Sequence, residues 1–210
     1  MRRILTVLML GTLLWAPPDT SVARQTAKSL SRQALQECEF GRQAKERAVR
    51  LAHFQKGQAL AERAVALDER YADAHFALFC SMGEQLRIDG EGIGSVFGVR
   101  KVMGALDRTL ELDPKHLDAL TCKGTLLVRL PGLLGGDPQK GEEILQQVIK
   151  KDRKAVSARL TLARLYAERG DHEAAIRLAA KALKIAKANR YKGLIPEAQA
   201  TLAELRQART

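Results

Sequence analysis

The run Ala158-Arg-Leu-Thr-Leu-Ala-Arg-Leu-Tyr-Ala-Glu-Arg-Gly-Asp-His-Glu-Ala-Ala-Ile-Arg-Leu-Ala-Ala-Lys-Ala-Leu183 decides the reading of this chain. Apolar residues recur at helical spacing on both sides of Gly170-Asp171, which predicts two helices joined by a tight turn. The first is expected from Ala155 to Arg169 and the second from His172 to Ala188. One such pair cannot bury its own apolar face. Stacked pairs can, and a stack leaves a groove along one side rather than a catalytic cleft.

Working outward, three segments share one closing pattern: Ala61 to Glu69, Ala105 to Pro114 and Leu145 to Asp152. Each carries apolar residues at helical spacing and then an Asp that ends the helix. Apolar helices are expected after them, at Ala72 to Leu86, Leu117 to Leu130 and Ala155 to Arg169. A last helix is expected from Tyr191 to Thr210. Pro196 suits its first turn, and Leu202 and Leu205 can cover the open end of the stack.

Two connections break the regularity. One is the Gly-rich run Gly90 to Gly98. The other is Leu130-Pro-Gly-Leu-Leu-Gly-Gly-Asp137, which reads as a shaped hairpin between helices. Pro131 forces Leu130 out of helical geometry. Gly135 and Gly136 are free to take positive φ. Asp137 is a good N-cap, and Pro138 fits the first helical position.

Aromatic residues make up only 4% of the 210 residues, which favours close-packed helices over strands. The formal net charge is +11, with Lys and Arg spread along every helix. Such a surface attracts anionic partners. A nucleic-acid partner is not expected, because zinc-finger spacing, a basic zipper and aromatics interleaved with basic residues are all missing.

The start of the chain resembles an export signal. Arg2 and Arg3 precede an apolar run, Ile4 to Ala16, too short to span a bilayer comfortably. Pro17 and Pro18 break it, and Ser21-Val22-Ala23 offers small residues for cleavage after Ala23. Residues 1–23 are therefore expected to be a signal peptide and residues 24–210 an exported helical domain, periplasmic or secreted, with no transmembrane span left after cleavage. The three cysteines, Cys38, Cys80 and Cys122, all fall in expected helices, where a disulfide is hard to close. They read as small buried hydrophobes.

These residues resemble the tetratricopeptide repeat family. Leu162, Ala163, Tyr166, Gly170, Ala175, Ala179 and Ala182 sit where that family keeps its packing residues. Gly124, Leu127, Gly141, Leu145 and Val148 do the same one pair earlier, and Leu78, Phe79, Met82 and Pro114 earlier again. The resemblance implies an all-α superhelix of about four helical pairs plus a C-terminal capping helix. The Leu130–Asp137 turn is similar to that of an exported bacterial subgroup that includes the T-component of tripartite transporters, and more distantly to regulator-of-microtubule-dynamics proteins. This chain lacks the lipid-anchor Cys of the T-components.

The resemblance also places a concave partner-binding groove. Its positions map to Asp73, Phe76, Cys80 and Glu84, then Asp118, Thr121, Thr125 and Arg129, then Ser157, Leu160, Arg164 and Glu168. Phe76 and Leu160 are the expected apolar anchors, and Arg129 and Arg164 the expected donors to a carboxylate. Ala77, Cys122 and Thr161 replace the Asn residues with which some family members clamp chaperone C-termini, so that ligand is not implied.

Enzyme signatures are missing. There is no phosphate-binding loop, no His-Glu-x-x-His and no nucleophile elbow, and the four histidines have no metal spacing. Neither cofactor nor metal is expected. The expected function is a non-catalytic scaffold of the cell envelope that binds a protein or peptide. The first alternative is a transport subunit docking a solute-binding protein or small ligand. The second is a glycan-acting enzyme with Glu84 as its acid. The sequence sets no oligomeric state.

Overall fold

The structure is a computed structural model that describes residues 20–89 and 95–208. Nine α-helices are present among the described residues, and no strand: α1 (Thr20–Gln43), α2 (Arg47–Leu67), α3 (Ala72–Asp89), α4 (Ser95–Leu112), α5 (Leu117–Arg129), α6 (Pro138–Lys151), α7 (Val156–Glu168), α8 (His172–Ala188) and α9 (Ile195–Gln207). They form four antiparallel pairs and one closing helix, the all-α repeat architecture expected. Residues 1–19 of the expected signal peptide, 1–23, and residues 90–94 of the Gly-rich run lie outside the described residues.

The recurring Asp has one structural job. The Oδ1 of Asp68 accepts from the Arg70 amide at 3.0 Å, that of Asp113 from Lys115 at 2.9 Å, and that of Asp152 from Lys154 at 2.7 Å. Each carboxylate mimics a backbone turn and redirects the chain after α2, α4 and α6. The carbonyl of each Asp also accepts from the amide three residues on, at Tyr71, His116 and Ala155. A repeated residue thus yields a repeated corner.

Other sequence signals act as read. Asp137 caps α6 by accepting from the Lys140 amide, with Pro138 in the first turn. Asp171 caps α8 through the Ala174 amide, after Gly170 at φ 86°. Of the hairpin glycines, Gly135 takes positive φ (87°) and Gly136 does not. Gly136 is required for space instead: a Cβ there would lie 1.7 Å from the Leu130 carbonyl oxygen. The last helix starts at Ile195 rather than Tyr191, because Arg190 turns left-handed (φ 56°) and Tyr191 bonds back to the Ala186 carbonyl.

The helices lie in two layers. Odd-numbered neighbours touch directly at α1 with α3, α5 with α7 and α7 with α9, while α3 and α5 meet mainly through α4 and no comparable contact joins the even-numbered helices. The stack therefore curves with the odd layer inside and the even layer splayed outside. Small residues permit the inner contacts: Ala27, Ala64 and Ala74 meet in one cluster, and Ala34, Ala61 and Ala77 in the next. Further along, Phe76, Leu106 and Ala119 join α3, α4 and α5. Leu145, Val148, Ala158 and Leu162 join α6 to α7. Two clusters close the end, one of Ala163, Ala175, Ala179, Leu202 and Leu205, the other of Val156, Leu160, Ala182, Ala186 and Ala198. The core is thus a row of small contacts with no shared centre, as in repeat stacks generally.

Candidate functional site

The twelve expected groove residues all lie on inner helices: four on α3, four on α5 and four on α7. Their side chains divide sharply. Phe76 is buried against Leu106 and Ala119, its ring 4.7 Å from that of His116 and 5.9 Å from that of Phe79. Leu160 is fully buried among Val156, Ala182, Ala186 and Ala198. Both expected apolar anchors are packing residues in this structure. Cys80 is likewise buried, beside Cys38 and Phe54.

The inner charges are mostly spoken for. Arg164 donates through Nη2 to Glu197 Oε1 at 3.1 Å and to Thr201 Oγ1 at 2.7 Å, so it ties α7 to α9. Asp73 accepts from the Tyr71 hydroxyl at 2.5 Å and faces His116 Nε2 at 3.1 Å. Thr121 donates to the Leu117 carbonyl, and Thr125 shares a hydrogen bond with Thr161 across α5 and α7. Asp118, Arg129, Ser157 and Glu168 remain exposed, and no side-chain bond occupies them among the described residues. Of the twelve expected residues, these four are exposed with no side-chain bond.

Glu84 sits in an ion cluster that the sequence reading missed. Arg42 of α1 donates to Glu84 at 2.7 Å, Arg87 donates to its other oxygen at 2.7 Å, and Arg42 Nη2 reaches Cys80 Sγ at 2.9 Å. Burial opposes ionisation of Glu84, but the two guanidinium groups win and hold its carboxyl below the usual range. A glycosidase acid needs the opposite, a carboxyl kept protonated near neutral pH. Arg42 escaped notice because α1 lies outside the clearest repeats. The cluster exists only once α1 packs on α3.

Among the described residues no group of three or more His, Cys, Asp or Glu side chains is placed to hold a metal ion, and no helix is long and apolar enough to cross a membrane. All three cysteines are free thiols.

The hairpin after α5 is held by bonds from Asp137 N to the Leu127 carbonyl and from Gly136 N to the Pro131 carbonyl. Leu133 at its tip is fully exposed, and Leu134 half exposed.

The outer layer carries a trough. Because α6 and α8 splay apart, α7 shows between them, and a cavity of about 340 Å³ opens over Leu162 and Tyr166. A second cavity, of about 570 Å³, continues along α8 past Lys184 and Ile185. Lys181 borders both.

Residues 133–195 match the sequence model of the tetratricopeptide repeat family. No curated protein matches the chain. Among solved structures, a thermophilic tetratricopeptide repeat protein of Thermus thermophilus is similar in fold, with a TM-score of 0.54 at 17% identity over 87% of this chain and 98% of that one. A tetratricopeptide repeat protein named YrrB, described as having an unusual peptide-binding site, aligns with a TM-score of 0.35 at 16% identity, over 80% of this chain and 93% of its own.

Proposed function

We propose that this chain is a non-catalytic scaffold of the cell envelope that binds a protein or peptide through the inner face of its helical stack. Tetratricopeptide proteins are in general protein-interaction scaffolds, and the repeat match and the fold support the class. The envelope location rests on the Arg2-Arg3 start, the short apolar run and the Ser21-Val22-Ala23 segment. The observation that carries the inner-face reading is the contrast within the expected groove. Asp118, Arg129, Ser157 and Glu168 stay exposed on neighbouring inner helices, while the charges around them are paired. The recognition is therefore polar and bidentate in kind, with no deep apolar anchor.

The test is affinity capture from the envelope fraction of the host with residues 24–210 as bait. A specific partner should be retained by the natural chain, lost with Asp118→Arg/Arg129→Glu, and retained by the control Lys45→Glu/Arg63→Glu. Equal loss in both variants, or equal retention, overturns the inner-face reading.

A further inference from the structure

The outer trough has a simple physical origin and an unusual lining. Curvature separates α6 from α8, and an apolar floor forms from Ile149 of α6, Leu162 of α7 and Leu178 of α8, with Tyr166 of α7 at one end. The Tyr166 hydroxyl donates to Glu142 at 2.8 Å, which leaves the ring edge to line the cavity. Further along α8 the floor continues with Ala180, Ile185 and Ala188. From Ala174 to Asn189 the trough follows α8 for about 22 Å, roughly four helical turns.

Its rim is basic. Lys150, Arg177 and Lys181 border the first cavity, and Arg153 and Lys184 the second. Arg177 pairs with Glu173 at 3.2 Å, both exposed. Lys150, Arg153, Lys181 and Lys184 form no ion pair among the described residues. Some basic side chains elsewhere have carboxylates, as Lys56 has Glu37 and Lys123 has Asp107, but no Asp or Glu lines either cavity. An apolar strip flanked by unbalanced cations occurs on this face.

We infer that the trough between α6 and α8 docks an acidic amphipathic helix of a partner protein, its apolar face on Ile149, Leu178 and Ile185 and its carboxylates against Lys150, Lys181 and Lys184. The length fits helix-in-groove recognition, which uses apolar anchors at helical spacing along one face. Carboxylates on the flanks of that helix answer the rim charge. A nucleic acid fits poorly, because the single aromatic ring here offers no platform for successive bases. The inference rests on the scaffold reading, but on the opposite face from the one proposed above.

The probe is a fluorescent peptide of about sixteen residues, four helical turns, with Leu on one face and Glu on the rest. Binding to residues 24–210 is followed by anisotropy at about 0.15 M salt, where the Debye length is about 8 Å. The peptide should bind saturably. Lys150→Glu/Lys181→Glu/Lys184→Glu should weaken it by about tenfold or more, because opposed charges become like charges. The control Lys45→Glu/Arg63→Glu/Lys101→Glu, equal in charge change, should alter it by about twofold or less. Replacing the peptide's Leu by Ser should abolish binding. All substituted side chains are exposed, and melting curves verify that each variant folds.

Equal weakening by both triple variants, equal binding of the Ser peptide, or no binding at all overturns the inference. So does displacement of the peptide by phosphatidylglycerol vesicles or single-stranded DNA with the same dependence on Lys181. Asp118→Arg/Arg129→Glu should leave the peptide affinity unchanged. Failure of the inner face and failure of the trough are therefore read in different variants.

Discussion

His116 Nε2 lies 3.1 Å from Asp73 Oδ1 while its Nδ1 accepts from the Ala119 amide at 3.2 Å. One imidazole thus caps α5 and fastens it to α3, on the far side of the Gly-rich connection. The hydrogen bond from His116 is the main reason the Asp73 carboxyl stays below its usual range. Burial pulls the imidazole down, but the Asp73 hydrogen bond and charge outweigh it and raise its value.

The pH dependence follows from those two directions. The Asp73 contribution is present above its ordinary 3.8 and is lost as pH falls through the depressed value. The His116 contribution to the ion pair is full below its ordinary 6.5, where the protonated Nδ1 gives up the Ala119 amide, and is lost as pH rises through the raised value. The pair therefore stabilises most between those limits. Thermal melting across pH should show Asp73→Asn lowering the maximum in that window and flattening the flanks below 3.8 and above 6.5. An unchanged profile would contradict the coupling.

Arg164→Ala should destabilise the chain by about 1–3 kcal/mol, since it leaves the buried Thr201 hydroxyl without its donor. Amide exchange should accelerate in α9 before α1. Loss of partner binding in this variant would thus report a loosened closing helix as well as a missing charge.

Ala182 is fully buried beside Leu160, Ala186 and Ala198. Ala182→Leu should overpack this junction and cost about 1–3 kcal/mol. A melting temperature equal to that of the natural chain would show that α8 can shift freely. Lys184→Leu, on the exposed side of the same helix, is the comparison.

The thiols should react in a definite order. The Cys38 thiol lies in the same cluster as Cys80, and Arg42 donates to the Cys80 sulfur at 2.9 Å; both hold Cys80 below the ordinary thiol value against its burial. Burial pushes Cys122 up to about 12. Iodoacetamide on the native chain should label Cys80 before Cys122, by mass spectrometry. Arg42→Met should move the onset of Cys80 labelling to higher pH. A faster Cys122 would refute the order.

Protein isolated from its host should begin at Arg24. That residue lies in the first turns of α1, with Asp68 at 3.8 Å. N-terminal sequencing that returns Met1 from a cytoplasmic fraction would remove the export reading.

The repeat architecture was legible because local chemistry and packing agree. Asp68, Asp113 and Asp152 each end a helix through the same short-range bond, and Asp137-Pro138 starts one. The faces were less legible. On α7 the residues Val156, Ala158, Arg159, Leu160, Thr161, Leu162, Ala163 and Leu165 are all buried, because α5, α6, α8 and α9 surround it. A helix packed by four neighbours keeps only a narrow exposed stripe, here Ser157 and Glu168, from which to read a groove. That is why Leu160 was expected outside and lies inside. Arg164 looked free because its partners, Glu197 and Thr201, come from the closing helix rather than from any repeat.

The core divided into successive clusters has a dynamic consequence. No cluster spans more than neighbouring helices, so each pair holds only its neighbours in place. Opening need not be all-or-none along the chain. Among the described residues α1 and α9 have neighbours on one side only, and these helices fray first. Protection then rises toward the middle of the row.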